Sequence, residues 1–244
     1  MLKRAAWRWL VRHPPMGRRA LMALRFEMES LAQRCANFLN PSYHRKIAAL
    51  RRMDGVSVNF GSGGRGATGW INIDIISLHA DQYVAHDLRR PLPFRDSQVK
   101  RIFAEHVIEH LDFRHDVPGL FAEFHRILEP GGVLRIIVPD LERFLHAYVT
   151  GSREEFRALG WDLDQLPHDI HTPMHVLNHM YHQEGEHLFG WDYATMEWAL
   201  RRAGFGDVSK QSYGVSLDSG LALDRPEHAP YSLYVEAVKQ AASL

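Results

Sequence analysis

Short apolar segments alternate with polar loops and helical patterns between residues 56 and 140, and this alternation constrains the fold most. Five segments predict strands, because β-branched and aromatic residues dominate them and turn residues or acids follow. These segments are 56–60, 70–74, 82–85, 99–104 and 133–138. Strands that alternate with helices form a mostly parallel sheet with helices on both faces. In such a sheet, ligands bind beyond the carboxyl ends of the strands.

The rest of the chain continues the same pattern. Residues 116–128 and 193–203 predict amphipathic helices, and residues 207–212 and 232–238 predict two more strands. Thr172-Pro173 is typical of a helix start, because threonine caps a helix and proline suits its first position. We therefore expect an α/β domain over residues 54–244.

The net charge of zero hides an uneven distribution. Residues 1–50 carry ten Lys/Arg and two acidic residues, so the remaining body is acidic. We expect residues 1–53 to form a basic helical arm. Within residues 1–14, arginines share one side of a predicted helix and two tryptophans the other, which suits contact with an anionic membrane surface. The alternative is a helix packed on its own domain.

A second predicted helix in the arm has an apolar seam over residues 21–38. The seam residues alternate spacings of three and four, as helices in contact do. They are Leu21, Leu24, Met28, Leu31, Cys35 and Phe38. We favour docking of this seam on the domain, with a homodimer through residues 21–38 as the alternative.

Composition excludes several classes of protein. The single cysteine excludes a disulfide framework and a cysteine-based zinc site. The longest stretch without Asp, Glu, Lys or Arg is residues 170–183, which is too short to span a bilayer. We expect a cytoplasmic protein, with an optional peripheral contact at the inner face of the membrane. The acidic body repels phosphate backbones, so we expect no nucleic-acid partner.

A glycine-rich loop follows the first predicted strand. Gly61-x-Gly63-x-x-Gly66 matches the dinucleotide fingerprint, but only residues 67–69 separate it from the next strand. That spacing leaves no room for the helix whose N-terminus would hold a pyrophosphate. S-adenosylmethionine (SAM) has no phosphate and needs close backbone approach, which glycine permits. Asp74, at the end of the second strand, suits the ribose hydroxyls.

Five motifs between residues 56 and 140 resemble, in order, those of class I SAM-dependent methyltransferases. They read VNFGSGG, INIDI, HDLRRPLPF, AEHVIEHL and FAEFHRILEPGGVLRIIVPD. The resemblance implies a Rossmann-like class I methyltransferase sheet and SAM as cofactor. It is strongest to short methyltransferases that accompany cell-surface polysaccharide enzymes. That implies methyl transfer to a hydroxyl of a sugar or glycan precursor.

The resemblance also implies roles for individual residues. The cofactor-binding residues would be Asn59, Gly61, Ser62, Gly63, Asp74, Ile75, Asp87, Leu88 and Glu105. Gly61 to Gly63 would run along the methionine part and ribose, and Asp87 and Leu88 would contact the adenine edge. Glu105 would lie near the methyl group. Asn59, Arg65 and Lys100 depart from the usual pattern of the family.

Histidines crowd residues 168–187, where there are six of them: His168, His171, His175, His179, His182 and His187. His175, His179 and His182 share one face of the predicted helix. The region forms an acceptor pocket wall, a metal site or an ordinary polar surface. Imidazole titrates near neutral pH and suits a base for a hydroxyl acceptor. The candidate catalytic residues are Glu105, His106 and His187. Asp140, Arg143 and Tyr148 are weaker candidates for the border of the acceptor.

Two alternative functions remain. His106-Val-Ile-Glu109-His110 matches H-x-x-E-H, the inverted zinc-protease motif, whose histidines share one side of a helix. Its spacing reveals no third ligand, so we predict no metal site. The irregular glycine loop also allows a degenerate, non-catalytic methyltransferase-like binding or scaffold protein.

Overall fold

The computed structural model describes residues 17–75 and 83–241. Helices α1 (Arg18–Leu39) and α2 (Pro41–Leu50) precede the sheet. The strands are β1 (Val56–Phe60), β2 (Ile71–Asp74), β3 (Tyr83–Ala85), β4 (Val99–Glu105), β5 (Leu128–Pro139), β6 (Asp207–Gln211) and β7 (Ser232–Val238). The remaining α-helices are α3 (Val117–Ile127), α4 (Leu141–Thr150), α5 (Arg153–Ala158), α6 (Pro173–His182) and α7 (Tyr193–Arg202).

The described strands form one seven-stranded sheet in the order β3-β2-β1-β4-β5-β7-β6. Strands β1 to β5 are parallel, whereas β7 is antiparallel to both β5 and β6. The predicted Rossmann-like, mostly parallel sheet is therefore confirmed. Because β1 to β5 run the same way, the loops that follow them meet at one edge of the sheet.

The core lies around β1 and β4, in the centre of the sheet. Phe60, Ile102 and Ile136 are fully buried on three adjacent strands. The Phe60 ring packs against Phe124 of α3 at a centroid distance of 4.9 Å. Burial of large apolar side chains on neighbouring strands and a covering helix stabilises the sheet and positions its edge loops.

Helix α1 contacts the domain through polar groups. The Asn37 amide donates a hydrogen bond to the Ala85 carbonyl at 2.7 Å, and Glu27 pairs with Arg89. Leu21 is buried, but five seam residues are exposed: Leu24, Met28, Leu31, Cys35 and Phe38. The favoured hypothesis that the seam docks on the domain is therefore wrong. Dimerisation through residues 21–38 stays a prediction.

The first part of the basic arm, residues 1–14, lies outside the described residues. Its predicted membrane contact stays a prediction. Among the helices that the structure describes, none combines the length and the apolar character needed to cross a bilayer.

A buried arginine ties the carboxyl-terminal part of the chain to the sheet. The Arg135 guanidinium donates two hydrogen bonds to Asp224, at 2.8 and 2.6 Å, and one to Glu236 at 2.7 Å. Its other two bonds reach the carbonyls of Ser212 and Val215. All five donors of the guanidinium are thereby satisfied. The network holds the loop after β6 against β5 and β7.

We expect Arg135→Met to lower the free energy of unfolding by about 3–5 kcal/mol, because it leaves two buried carboxylates without their cation. Urea unfolding followed by circular dichroism measures this change. Arg114→Met is the matched control at an exposed position, with an expected change within about 0.5 kcal/mol. A loss below about 1 kcal/mol in Arg135→Met would contradict the assigned role of the network.

Candidate active site

The glycine-rich loop lies tightly between β2 and the turn after β4. Gly61 has a backbone φ of +66°, and its amide donates a hydrogen bond to the Ile73 carbonyl at 2.8 Å. A Cβ added to Gly61 would lie 2.5 Å from the Val107 side chain. Both the backbone conformation and the lack of space require glycine here. The chain after β1 is thereby held close to the chain after β4.

An acidic group lies directly beside this loop. The Asp74 carboxylate, at the end of β2, accepts a hydrogen bond from the Gly63 amide at 2.8 Å. Asp74 and the following Ile75 are half-buried. The Ser62 hydroxyl is buried and has no hydrogen-bond partner. A buried polar group of this kind indicates an unfilled interaction, because nearly all buried polar atoms in proteins are paired.

Neutral groups support the loop from within. Asn59 is buried, and its amide donates to the Asn72 side-chain oxygen at 3.2 Å. The same Asn72 oxygen accepts from the Ala67 amide at 2.8 Å, and the Gly66 amide donates to the Tyr83 hydroxyl at 2.6 Å. These contacts give Asn59 a supporting position in the loop. Its direct contact with a cofactor stays a prediction.

Asp87, after β3, is already engaged by arginine. Its carboxylate is buried and accepts three hydrogen bonds from Arg89, each at 3.0 Å. Burial raises the pKa of Asp87, but these bonds outweigh burial and hold the pKa below its usual value. The carboxylate therefore serves an ion pair with Arg89. Adenine contacts by Asp87 and Leu88 stay predictions.

Glu105 joins the end of β4 to the chain between β6 and β7. Its buried carboxylate accepts hydrogen bonds from the Arg225 amide and from His228 Nδ1, both at 3.1 Å. The Arg225 side chain forms an ion pair with the second oxygen at 3.1 Å. A buried carboxylate held by the Arg225 side chain and by two hydrogen bonds is suited to positioning rather than to proton transfer. Its expected place near a methyl group stays a prediction.

His106 follows Glu105 in a left-handed backbone conformation, with φ +53°. Its Nε2 lies 2.9 Å from the Ser232 hydroxyl, and its ring stacks on His228 at 3.9 Å. A non-glycine residue in this conformation is held there by its surroundings, and such residues cluster at functional sites. The structure thus singles out His106 among the histidines.

The pKa values of His106 and His187 lie below the near-neutral value expected of a histidine base. Burial, with the nearby His228 next in effect, lowers the pKa of His106 to about 2. Burial also lowers the pKa of His187 to about 4. Both imidazoles are neutral at physiological pH and bind protons weakly. The expectation of a base with a near-neutral pKa therefore does not hold for either residue.

A cavity of about 420 Å³ opens beside His106. Its walls combine aromatic and polar side chains, including Trp161, His179, His187, Glu227 and Tyr231. Arg65 of the glycine-rich loop pairs with Glu227, so the loop and the cavity border each other. The size and mixed lining of the cavity are typical of a small-molecule site.

The cavity separates the crowded histidines into two groups. His179 and His187 line it, whereas four others are exposed: His168, His171, His175 and His182. Of the three histidines predicted to share one helix face, only His179 lines the cavity, whereas His175 and His182 are exposed. Trp161 and Tyr231 line the cavity without having been predicted, because no local pattern marks them.

The weaker acceptor candidates lie elsewhere. Asp140 is buried and caps α4 by accepting from the Arg143 amide at 3.4 Å. Asp140, Arg143 and Tyr148 are not among the residues that line the cavity. The favoured interpretation is that these three are ordinary loop and helix residues, and their location outside the cavity lining agrees with it.

The H-x-x-E-H segment does not form the expected helix. Residues Ile108–His110 form a short 3-10 turn, so His106 and His110 do not share one face of an α-helix. The turn instead brings Glu109 and His110 close to His187, with possible ligand atoms within 4.8 Å of one another. Burial raises the pKa of the Glu109 carboxyl to about 8.

A comparison with protein families matches residues 72–136 to a methyltransferase domain. The matched segment runs from β2 to β5 and includes Asp74, Asp87, Glu105 and His106. It is about a quarter of the chain. The match supports a SAM-dependent methyltransferase and SAM as its cofactor. No curated protein matches the chain.

Solved structures resemble the chain at low identity. A SAM-dependent methyltransferase of Thermotoga maritima, a possible histamine N-methyltransferase, is 18% identical with a TM-score of 0.47; the match covers 89% of this chain and 96% of that one. A Mesorhizobium loti SAM-dependent methyltransferase is 18% identical with a TM-score of 0.44, covering 82% and 98%. The Burkholderia thailandensis 1,6-didemethyltoxoflavin-N1-methyltransferase, bound to its substrate and S-adenosylhomocysteine, is 13% identical with a TM-score of 0.45, covering 91% and 88%. Likeness at this level carries no functional argument.

We expect Gly61→Ala to lower the free energy of unfolding by about 1–3 kcal/mol, because alanine adds backbone strain and collides with Val107. Thermal or urea unfolding measures the loss. Gly64→Ala is the matched control in the same loop, since an added Cβ there meets no atom within 4 Å. Equal stability of the two variants would contradict the close packing assigned to Gly61.

Proposed function

We propose that the protein transfers a methyl group from SAM to a hydroxyl group of an acceptor held in the cavity beside His106. We further propose that the acceptor is a sugar or a glycan precursor. The observation that carries the proposal is the position of Asp74. Its carboxylate contacts the glycine-rich loop, and that loop borders the cavity through the pair of Arg65 and Glu227.

The residues at the end of β1 and β2 fit SAM. Asp74 offers a carboxylate for the ribose hydroxyls, and Gly61 and Gly63 bring the backbone close without side chains. The unpaired Ser62 hydroxyl offers a further hydrogen bond. Bound SAM supplies a methyl group on a positively charged sulfur. The protein's own residues then have to bind, orient and shield that group.

The cavity provides the proposed binding place for the acceptor. Methyl transfer is an in-line displacement, so correct placement of the acceptor provides much of the rate. Trp161 and Tyr231 offer aromatic surface against the apolar face of a sugar ring. His179, Gln183 and Glu227 offer polar atoms for its hydroxyl groups. This lining favours a polar ring of modest size as acceptor.

His106 connects the two halves of the site. Its backbone follows β4 next to Val107, which packs on Gly61, and its ring lines the cavity. The ring is held by Ser232 and His228. A neutral imidazole fixed in this way orients an acceptor by hydrogen bonding. We propose this positioning role for His106 in place of proton abstraction. The acceptor oxygen bonds to the methyl carbon as the bond from that carbon to sulfur breaks, and the hydroxyl proton is released to water.

We expect Asp74→Asn to weaken SAM and S-adenosylhomocysteine binding by about 10- to 100-fold, because hydrogen bonds to a charged group contribute about 1.5–3 kcal/mol. Isothermal titration calorimetry measures both affinities. Asp207→Asn, at an exposed position on β6, is the matched control and should bind like the wild type. No SAM binding by the wild type at millimolar concentration would overturn the proposed function.

We expect Trp161→Ala to raise the KM for the acceptor at least about 10-fold, because truncation of an aromatic anchor in a binding pocket typically costs 2 kcal/mol or more. The affinity for SAM should remain within about twofold, since Trp161 lies in the cavity and not in the glycine-rich loop. Transfer of labelled methyl from SAM to a panel of monosaccharides and nucleotide sugars measures the KM.

Two results, one for SAM binding and one for methyl transfer, would contradict the proposed function. An equal loss of SAM affinity in Trp161→Ala would place the cofactor in the cavity. SAM binding without transfer to any hydroxylated acceptor would favour a non-catalytic binding protein.

A further inference from the structure

Three side chains converge beside the cavity from two distant parts of the chain. Glu109 and His110 belong to the 3-10 turn after β4, and His187 lies in the loop after α6. Each offers a possible metal-ligand atom, and these atoms lie within 4.8 Å of one another. Two histidines and one carboxylate are a common ligand set for divalent transition metals.

The burial of the Glu109 carboxyl is a second observation that favours a bound cation. Glu109 is only 1% exposed, and neither of its carboxylate oxygens has a hydrogen-bond partner. A buried carboxylate without a partner is costly, and native proteins pair such groups with a donor or a metal ion. His106 Nδ1 lies 3.4 Å from one Glu109 oxygen but makes no hydrogen bond with it.

The hydrogen bonds of both histidines leave Nε2 available as a ligand. His110 Nδ1 lies 3.1 Å from the Glu186 carbonyl, and His187 Nδ1 lies 2.8 Å from the Met180 carbonyl. A carbonyl only accepts hydrogen bonds, so Nδ1 is the protonated nitrogen in each ring. Nε2 then carries the lone pair that a metal ion needs. A backbone carbonyl on the second nitrogen is the usual support for a metal-ligating histidine.

The backbone holds the three ligands together without a metal. The amides of Leu188 and Phe189 both donate to the Glu109 carbonyl, at 2.8 and 3.2 Å. The rings of His110 and His187 meet edge to face at a centroid distance of 4.9 Å. The two segments are thus fixed against each other at the ligands themselves. This preorganisation reduces the entropic cost of binding an ion.

We propose that Glu109, His110 and His187 bind one divalent transition-metal ion of the Zn²⁺ class. Three protein ligands leave a fourth position of a tetrahedral site open, as in metal sites that bind a substrate. His187 lines the cavity, and the proposed open position faces the cavity beside it. An oxygen of the acceptor suits it. That use of the ion rests on the proposed function, whereas the metal site itself does not.

The arrangement differs from the H-x-x-E-H motif. That motif uses two histidines on one α-helix, whereas His106 is not one of these three ligands and the third ligand comes from 77 residues beyond His110. The chemistry indicated is therefore an ion at an acceptor cavity, and not a peptidase centre.

The test is a metal titration of the full-length chain after treatment with a chelator. Isothermal titration with ZnCl₂ should give one ion per chain, and CoCl₂ should produce the intense visible absorption of four-coordinate cobalt. We expect His187→Ala and Glu109→Gln to lower the affinity at least about 10-fold, since loss of even a supporting residue costs 10- to 100-fold. His175→Ala and His182→Ala are matched controls, because both histidines are exposed and outside the group.

Circular dichroism and a SAM titration separate loss of the fold, loss of the metal site and loss of the proposed function. Circular dichroism of metal-free Glu109→Gln checks the fold, because glutamine keeps the size and shape of the Glu109 side chain. No saturable binding by the wild type, or unchanged affinity in His187→Ala, would overturn the metal site. SAM binding without metal binding would leave the proposed function standing. Metal binding without SAM binding would leave the metal site standing and remove the proposed function.

Discussion

A left-handed backbone turn at His106, directly after β4, redirects the chain between two parts of the site. Before the turn, Glu105 is held by the segment between β6 and β7. After it, Val107 packs against Gly61, and the 3-10 turn carries Glu109 toward His187. One turn of the chain thus joins the glycine-rich loop, the cavity and the group of possible metal ligands.

This arrangement follows from the parallel sheet. Because β1, β2, β4 and β5 end at the same edge, their loops necessarily meet there. Ion pairs also tie β4 and β5 to the chain after β6, because Glu105 pairs with Arg225 and Arg135 pairs with Asp224. The carboxyl ends of β4 and β5 border the cavity, since His106 and Pro139 line it.

Sequence patterns predicted the sheet because strand residues are marked locally, by β-branched side chains and by the turn residues that follow. Asp74 was predictable for the same reason, since it ends a strand, whereas Glu105 was indicated by the family resemblance. The approach of His187 to Glu109 could not be predicted from the sequence, because it depends on the packing of segments far apart in the chain. The α1 seam was misjudged because Asn37 and Glu27, which are polar, make the contacts with the domain.

We propose that the edge between the glycine-rich loop and the cavity binds SAM and presents its methyl group to an acceptor. A crystal structure with S-adenosylhomocysteine is the decisive measurement. We expect ribose hydroxyls within hydrogen-bond distance of Asp74 and a sulfur atom that faces the cavity beside His106. Density for the ligand elsewhere, or a ribose without contact to Asp74, would contradict it.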